Sequence, residues 1–371
     1  STINSMINPG FWGKLNKPFF CLAPMSDVTD VAFRYMLAKY SKNRENKNEV
    51  VFWTEFVSAD GLCNKFARKK LAHMLEFRES ERPIVAQIFG ANPENMKKAC
   101  QYVANLGFDG IDINMGCPDK SIEKQCSGAA MMKDQKLARE IIRASKEGGE
   151  GLPISVKTRI GYNPPAPQGF GQTSKNKNYL LDEKWIRALL EEVLTALTVH
   201  LRTRKEMSDV PAHWNLMKRI VEIRNEMTSA DGGARNKVLI IGNGDILNLE
   251  DAKQKIKETG CDGIMLGRAI FGNPWLFGFS GHFSGHSVST KVSTGEETIS
   301  LKTKLQVMVE HTKLFEKMLG RHKNFAIMKK HFKAYVNGFD GAKELRVKLM
   351  ETENSEQVER VISEFLGVLD F

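Results

Sequence analysis

Eight short apolar runs, rich in β-branched and aromatic residues, recur along the chain at 19–23, 50–54, 84–88, 110–114, 154–158, 196–200, 238–242 and 263–267, with stretches of helical periodicity between most of them. Repeated βα units and a parallel sheet require this alternation. Several runs, such as Val238-Leu239-Ile240-Ile241, are continuously apolar, as a strand covered on both faces must be. Helices are expected over 95–106, 135–146, 181–194, 214–227 and 248–259. The last opens on Asn248, a side chain suited to capping, and stops before Gly260, which suits a left-handed C-cap. Eight strands with crossover helices make a (β/α)8 TIM barrel of the α/β class. A doubly wound open sheet is the competing arrangement, but no Gly-x-Gly-x-x-Gly follows any early strand.

The chain of 371 residues is longer than such a barrel needs. We expect a barrel over 1–277, a Gly/Ser/Thr-rich linker over 278–300 and a small helical domain over 301–371, where only helical periodicity is found. Two polar inserts interrupt the barrel pattern, 163–178 after the fifth strand, at the active-site end, and 228–236 at the opposite end. A net charge of +10 favours a polyanionic partner or an anionic cofactor, and fits solubility alone equally well. The six cysteines are scattered, with no C-x-x-C pair, and no His-x-x-x-His or His/Glu pair lies at ligand spacing near His200, so neither a metal site nor a disulfide framework is expected. No run approaches 18 apolar residues, and the expectation is a soluble, cytoplasmic monomer without a membrane partner.

Every apolar run ends in a polar or glycine-bearing motif, the end at which barrel enzymes assemble their sites. In chain order these are Ala23-Pro24-Met25-Ser26, Thr54-Glu55-Phe56, Ala86-Gln87-Ile88-Phe89-Gly90, Asp112 to Pro118, Val156-Lys157-Thr158-Arg159, Val199-His200-Leu201-Arg202, Gly242-Asn243-Gly244-Asp245 and Gly267-Arg268. The glycines after the seventh and eighth runs, with Arg268, suit a phosphate site. Lys157 and Arg159, two apart, share one side of a strand; they either face an anion in the barrel mouth or sit as solvated charges. Gln87 offers a donor and an acceptor to a ring edge. His200 reads as an acid, a base, a cofactor ligand or a structural residue. Cys117, between Gly116 and Pro118, lies in a loop rather than a packing position, whereas Cys21 and Cys100 read as buried small hydrophobes.

These motifs, together with Asn114-Met115-Gly116-Cys117-Pro118 and the closing Gly272-Asn273-Pro274-Trp275, resemble the tRNA-dihydrouridine synthases over about 19–277. The resemblance implies FMN held by Pro24, Met25, Ser26, Gln87, Lys157, His200, Asn243, Gly244, Asp245, Gly267 and Arg268. It implies Cys117 as the proton donor to uracil, with Lys157, Arg159 and His200 stabilising developing negative charge. NADPH is the implied transient reductant and tRNA the partner. The helical segment then looks like a tRNA-binding domain whose Arg321, His322, Lys323, Lys329, Lys330, His331 and Lys333 contact phosphates, although the same run reads equally as one solvated helix face. An FMN barrel reductase for a small molecule and a non-catalytic RNA-binding protein are the rival readings. Ser26, Leu201 and 207–210 depart from the family pattern, which leaves the target uridine open.

Overall fold

The computed structural model describes residues 8–41, 49–163, 180–229, 238–278, 291–292 and 299–369. Eight parallel strands close into a barrel: β1 Phe19–Leu22, β2 Val50–Ser58, β3 Ile84–Phe89, β4 Gly110–Met115, β5 Ile154–Arg159, β6 Ala196–His200, β7 Leu239–Asn243 and β8 Gly263–Leu266. Closure runs from Phe19 opposite Gly263 to Leu22 opposite Leu266. The apolar-run reading holds for every strand, and the open-sheet alternative falls. Inserts 163–178 and 228–236 lie almost wholly outside the described residues. The same is true of the 278–300 linker, apart from the antiparallel pair of β9 (Lys291–Val292) with β10 (Ile299–Ser300).

Period-two alternation sorts each strand's residues between two cores. Phe19, Cys21, Val51, Trp53, Val85, Ile241 and Met265 fill the barrel interior, and Trp12 closes its lower end with its ring 5.9 Å from both Phe19 and Trp53. Residues of the opposite parity, such as Phe20, Leu22 and Phe52, pack outward. β2 carries an irregularity in which Thr54 and Glu55 together oppose Ala86, since Trp53 pairs with Val85 and Phe56 with Gln87. One extra residue of this kind re-aims the side chains beyond it.

The outer layer holds α1 Val31–Ser41, α2 Ala59–Cys63, α3 Lys65–Leu71, α4 Pro93–Asn105, α5 Lys120–Glu123, α6 Gln135–Gly148, α7 Glu183–Leu190, α8 Met217–Ser229 and α9 Leu249–Thr259. Asn248 Oδ1 accepts from Asp251 N at 2.8 Å and Gly260 adopts φ 72°, so α9 is capped as its sequence predicts. The expected helix over 181–194 is shorter, because Asp182 caps it at Trp185 N and the chain breaks after Leu190 to enter β6. Sequence reading misses α1. Its Val31, Ala32, Phe33, Arg34, Met36, Leu37 and Ala38 are all buried, so no polar face interrupts it to mark a period.

A second unit follows: α10 Leu301–Leu319, α11 Met328–Tyr335, α12 Ala342–Met350 and α13 Ser355–Leu369. It is joined to the barrel by α1. Phe33 stacks on the ring of His311 and meets that of His331 at a tilt, each 5.0 Å away, and Tyr40 Oη donates to Glu310 at 2.6 Å. Both histidines are fully buried, and among the described residues neither ring nitrogen of either has a hydrogen-bond partner. Burial lowers His311 to about 3, and burial followed by the charge of neighbouring groups lowers His331 as well. A histidine held neutral in the fold but free to charge when unfolded contributes stability above its ordinary value, and that stability is lost as pH falls. Stability should therefore decline below pH ~6.5, with His311 alone contributing roughly 2–3 kcal/mol of the loss by pH ~4.5. Asp30 and Asp112, raised to about 6, act in the opposite sense. The difference between wild type and His311→Phe isolates the imidazole: thermal midpoints from pH 7 to 4.5 should converge toward or cross over in favour of the variant. A constant gap across that range would rule the effect out.

Candidate active site

A cavity of about 830 Å³ opens at the C-terminal ends of the strands, within the size range of ligand pockets. Its wall comes from the loops after β1, β6, β7 and β8 and from Lys157 on β5. Pro24, Met25, Lys157, His200, Asn243, Gly244, Asp245, Gly267 and Arg268 all line it. Ser26, Gln87, Cys117 and Arg159 are not on that wall. Ser26 is exposed, while Gln87 is fully buried beneath the mouth.

The β7 loop owes its shape to two glycines. A Cβ on Gly242 would lie 2.7 Å from the Trp214 ring, and Gly244 has φ 133°, which side chains rarely adopt. Trp214 Nε1 donates to Gly244 O at 2.8 Å. Asp245 then accepts from Arg202 at 2.5 Å, from Ala212 N at 2.9 Å and from Arg268. Burial would raise the Asp245 carboxyl, but these donors hold it below its ordinary value. Arg268 nevertheless remains largely solvent-exposed at the rim, with 68% of its side chain accessible.

In the sequence Arg202 is only one member of the motif after the sixth run; the structure gives it a place. It is buried on the cavity wall, donating to Val210 O at 2.6 Å and lying 3.1 Å from His200 Nε2. A guanidinium only donates, so Nε2 accepts and the imidazole proton sits on Nδ1. Burial first, and then Lys157, Arg159, Arg202 and Arg268, push His200 well below its ordinary value. It is a neutral ring with one N–H to offer, which removes the reading of His200 as a charged general acid. The other missed wall is 208–211, and its signal was the same departure from the family pattern that left the target open.

A buried polar chain lies deeper. Asp112 accepts from Ser155 Oγ at 2.6 Å and from Gln87 Nε2 at 2.7 Å; Gln87 Oε1 accepts from Asn114 Nδ2 at 3.1 Å. Asn114 Oδ1 in turn accepts from Gly116 N at 3.1 Å and Cys117 N at 2.9 Å, so the chain ends by shaping the cysteine loop. Gln87 has therefore spent its acceptor and one donor inside the protein. Burial raises Asp112 to about 6 despite its hydrogen bonds. Burial, and next Arg159, lower Lys157 to about 8, while Asp112 and Cys117 pull it back up.

Cys117 is half-buried; burial pushes its thiol up, and Lys157 and Arg159 oppose that rise. Arg159 donates to Gly116 O at 2.9 Å, Thr203 O at 3.0 Å and Met207 O at 2.7 Å, tying the cysteine loop to the β6 loop rather than pointing into the cavity. Cys21 and Cys100 are buried, as their positions in strand and helix predict, and Cys126 is exposed.

The basic C-terminal run does not form one face. His331 is fully buried, and Lys323 Nζ is committed to Glu55 and Asp27 with its side chain 7% exposed. His322 stacks on His73 of the barrel at 4.7 Å. Arg321 and Lys333 remain exposed, and Lys329 and Lys330 are half-buried. Helical amphipathicity in the sequence could not reveal that the barrel covers part of this run.

The family model for dihydrouridine synthase (Dus) matches residues 21–367. A probable tRNA-dihydrouridine synthase of Staphylococcus aureus is 36% identical over 363 residues, 97% of each chain. The probable tRNA-dihydrouridine synthase 2 of Bacillus subtilis is 35% identical over 358 residues, 96% of each. A probable tRNA-dihydrouridine synthase of Staphylococcus epidermidis is 36% identical over 363 residues, again 97% of each.

Proposed function

The chain belongs to the dihydrouridine synthase family, and on that premise we propose that it reduces the C5=C6 bond of a uridine in tRNA, an oxidoreductase reaction using FMN and a proton from Cys117. The observation that carries this reading is the joint position of a cation-walled cavity and a half-buried thiol at one end of the barrel. The residues fit an anionic flavin. Gly244 and Gly267 bring backbone close to the cavity after β7 and β8, where barrels bind phosphate, and Arg268 stands at the rim. Lys157 and His200 line the same space with no carboxylate bonded to them among the described residues. NADPH as the source of reducing equivalents belongs to the same reading.

The chemistry that reduced FMN supplies here is a hydride for uracil C6. Cys117 then protonates C5, and its raised thiol keeps the proton available at neutral pH. Lys157 stabilises negative charge that develops as the ring is reduced, in a buried setting where one charge counts for more than in water. Arg159 and Asn114 position the cysteine loop through Gly116 O and through the Gly116 and Cys117 amides. Arg202 and Asp245 fix the β6 and β7 loops against each other.

RNA meets the mouth over a surface where exposed cations replace the expected single cluster. α3 has no acidic residue; its Lys65, Lys69 and Lys70 are exposed, as are Arg321 and Lys333, and Phe66 is 79% exposed beside them. Replacing Lys65, Lys69 and Lys70 together by Ala should raise KM for tRNA about tenfold and flatten its salt dependence, by ~0.7–0.9 in log–log slope per lost phosphate contact. Flavin affinity should not change. An unaltered salt slope would place the RNA elsewhere.

The direct test is mass-spectrometric mapping of dihydrouridine in tRNA from a strain lacking this protein, with purified protein assayed for a flavin absorbance band. Loss of dihydrouridine at one position and a yellow protein are expected. An unchanged tRNA modification profile would refute the activity.

A further inference from the structure

The chain turns sharply after α10, with the amides of His322 and Lys323 both donating to Leu319 O at 2.7 and 2.8 Å, and this turn sends Lys323 back toward the barrel. Its ammonium lies 2.7 and 2.9 Å from the two carboxylate oxygens of Glu55 and 3.1 Å from Asp27 Oδ1. Glu55 is a strand residue placed by the irregularity in β2, and its side chain is 2% exposed. The same Glu55 Oε1 that meets Lys323 also accepts from Asp27 N at 2.6 Å. Asp27 has φ 55°, a left-handed conformation that a non-glycine residue holds only when its surroundings enforce it.

Asp27 belongs to the loop between β1 and α1, which also contains three cavity-wall residues, Ala23, Pro24 and Met25. That loop is a compact unit: Val28 N and Thr29 N donate to Met25 O at 3.2 and 3.0 Å, and Met25 N donates to Thr29 Oγ1 at 2.9 Å. Whatever fixes Asp27 therefore fixes Met25 and Pro24. Arg34, donating to Thr29 O at 2.6 Å, anchors the loop's far end and Ala23 N, donating to Leu266 O at 2.9 Å, its near end, both within the barrel layer, while its middle, at Asp27, is held across the unit boundary.

We propose that Lys323 is a positioning residue through which the C-terminal helical unit holds the β1–α1 loop, and hence the Pro24–Met25 wall of the cavity, in its ligand-binding shape. This rests on the reading of that cavity as the flavin site. Three carboxylates, Glu55, Asp27 and Asp30, surround this one ammonium, with Asp30 raised by burial and then by Glu55. Without Lys323, Glu55 would be an uncompensated buried anion beside two other carboxylates, and Asp27 Oδ1 would lose the ammonium that ties its side chain to Glu55. The helical unit thus contributes to the flavin site without touching it.

The test uses the full chain with Lys323→Met, Lys323→Arg and the double variant Lys323→Met/Glu55→Gln, which removes the buried Glu55 charge together with its ammonium. Amide hydrogen exchange of residues 25–30 is followed in flavin-free protein, and FMN affinity by fluorescence quenching. Exchange at Val28 and Thr29 should quicken, and FMN affinity fall, by about tenfold in Lys323→Met. Lys323→Arg should restore most of both. The double variant should melt near the wild-type temperature yet keep both defects, a separation that mere loss of stability would not produce. Wild-type exchange at 25–30 in the double variant overturns the proposal. Faster exchange with unaltered FMN affinity overturns the link to the flavin wall. Failure of the wild type itself to take up FMN counts against the flavin reading instead, and the exchange measurement still decides the role of Lys323.

Discussion

Dihydrouridine formation by Cys117→Ala should fall by ~10²-fold or more, the loss expected when a general acid is removed, while the protein keeps its FMN. Retention follows from geometry, because Cys117 is absent from the cavity wall and its loop is held by backbone contacts that Ala preserves, namely its own amide to Asn114 Oδ1 and its carbonyl from Ala129 N. Cys117→Ser should do little better, since a hydroxyl surrenders its proton far less readily than a thiol. The clean measurement is a single turnover of pre-reduced protein with unmodified tRNA, scored by dihydrouridine content. Yield and rate equal to wild type in Cys117→Ala would remove the thiol from the mechanism.

Lys157→Met should cost ~10²–10³ in kcat/KM for tRNA, the range seen when a preorganised charge stabiliser is deleted from a buried site. Its pH signature is separate from that of Cys117. The ammonium is charged below about 8 and neutral above, so kcat/KM should decline as pH rises through about 8. The thiol, pushed above its ordinary value, stays protonated through that window and adds no limb there. Lys157→Met should abolish the alkaline limb. Asp112→Asn should move it to lower pH, because the Asp112 charge is one of the forces that keep Lys157 protonated. A limb unmoved by either substitution belongs to another group.

What the sequence disclosed and what it concealed divide along physical lines. Strand runs such as 238–242 are written in local apolarity, and the position of a motif at a strand's end follows from the barrel's geometry, so nine cavity residues were legible one by one. The partners of those residues were not. Nothing local to Arg202 says that its guanidinium will meet His200, Val210 and Asp245 at once, and nothing in Gln87 says that its polar atoms are taken by Asp112 and Asn114. Lys323 and His331 were misread for a related reason. Charge and periodicity describe a helix facing water, and the barrel surface that covers these two residues comes from parts of the chain some 270 to 300 residues distant, as in the pairings of Lys323 with Glu55 and Asp27.

The seam along α1 bears on how such chains can be recombined. Phe33 packs against two mutually touching imidazoles of the C-terminal unit, Lys39 and Tyr40 both bind Glu310, and His73 and Glu55 receive the turn after α10. A chimera that exchanged the helical unit at the 278–300 boundary would carry one half of this seam into a barrel bearing another relative's half. The unit of exchange that keeps the seam matched is discontinuous: α1, the end of β2 and the segment around His73 would have to travel with the C-terminal helices.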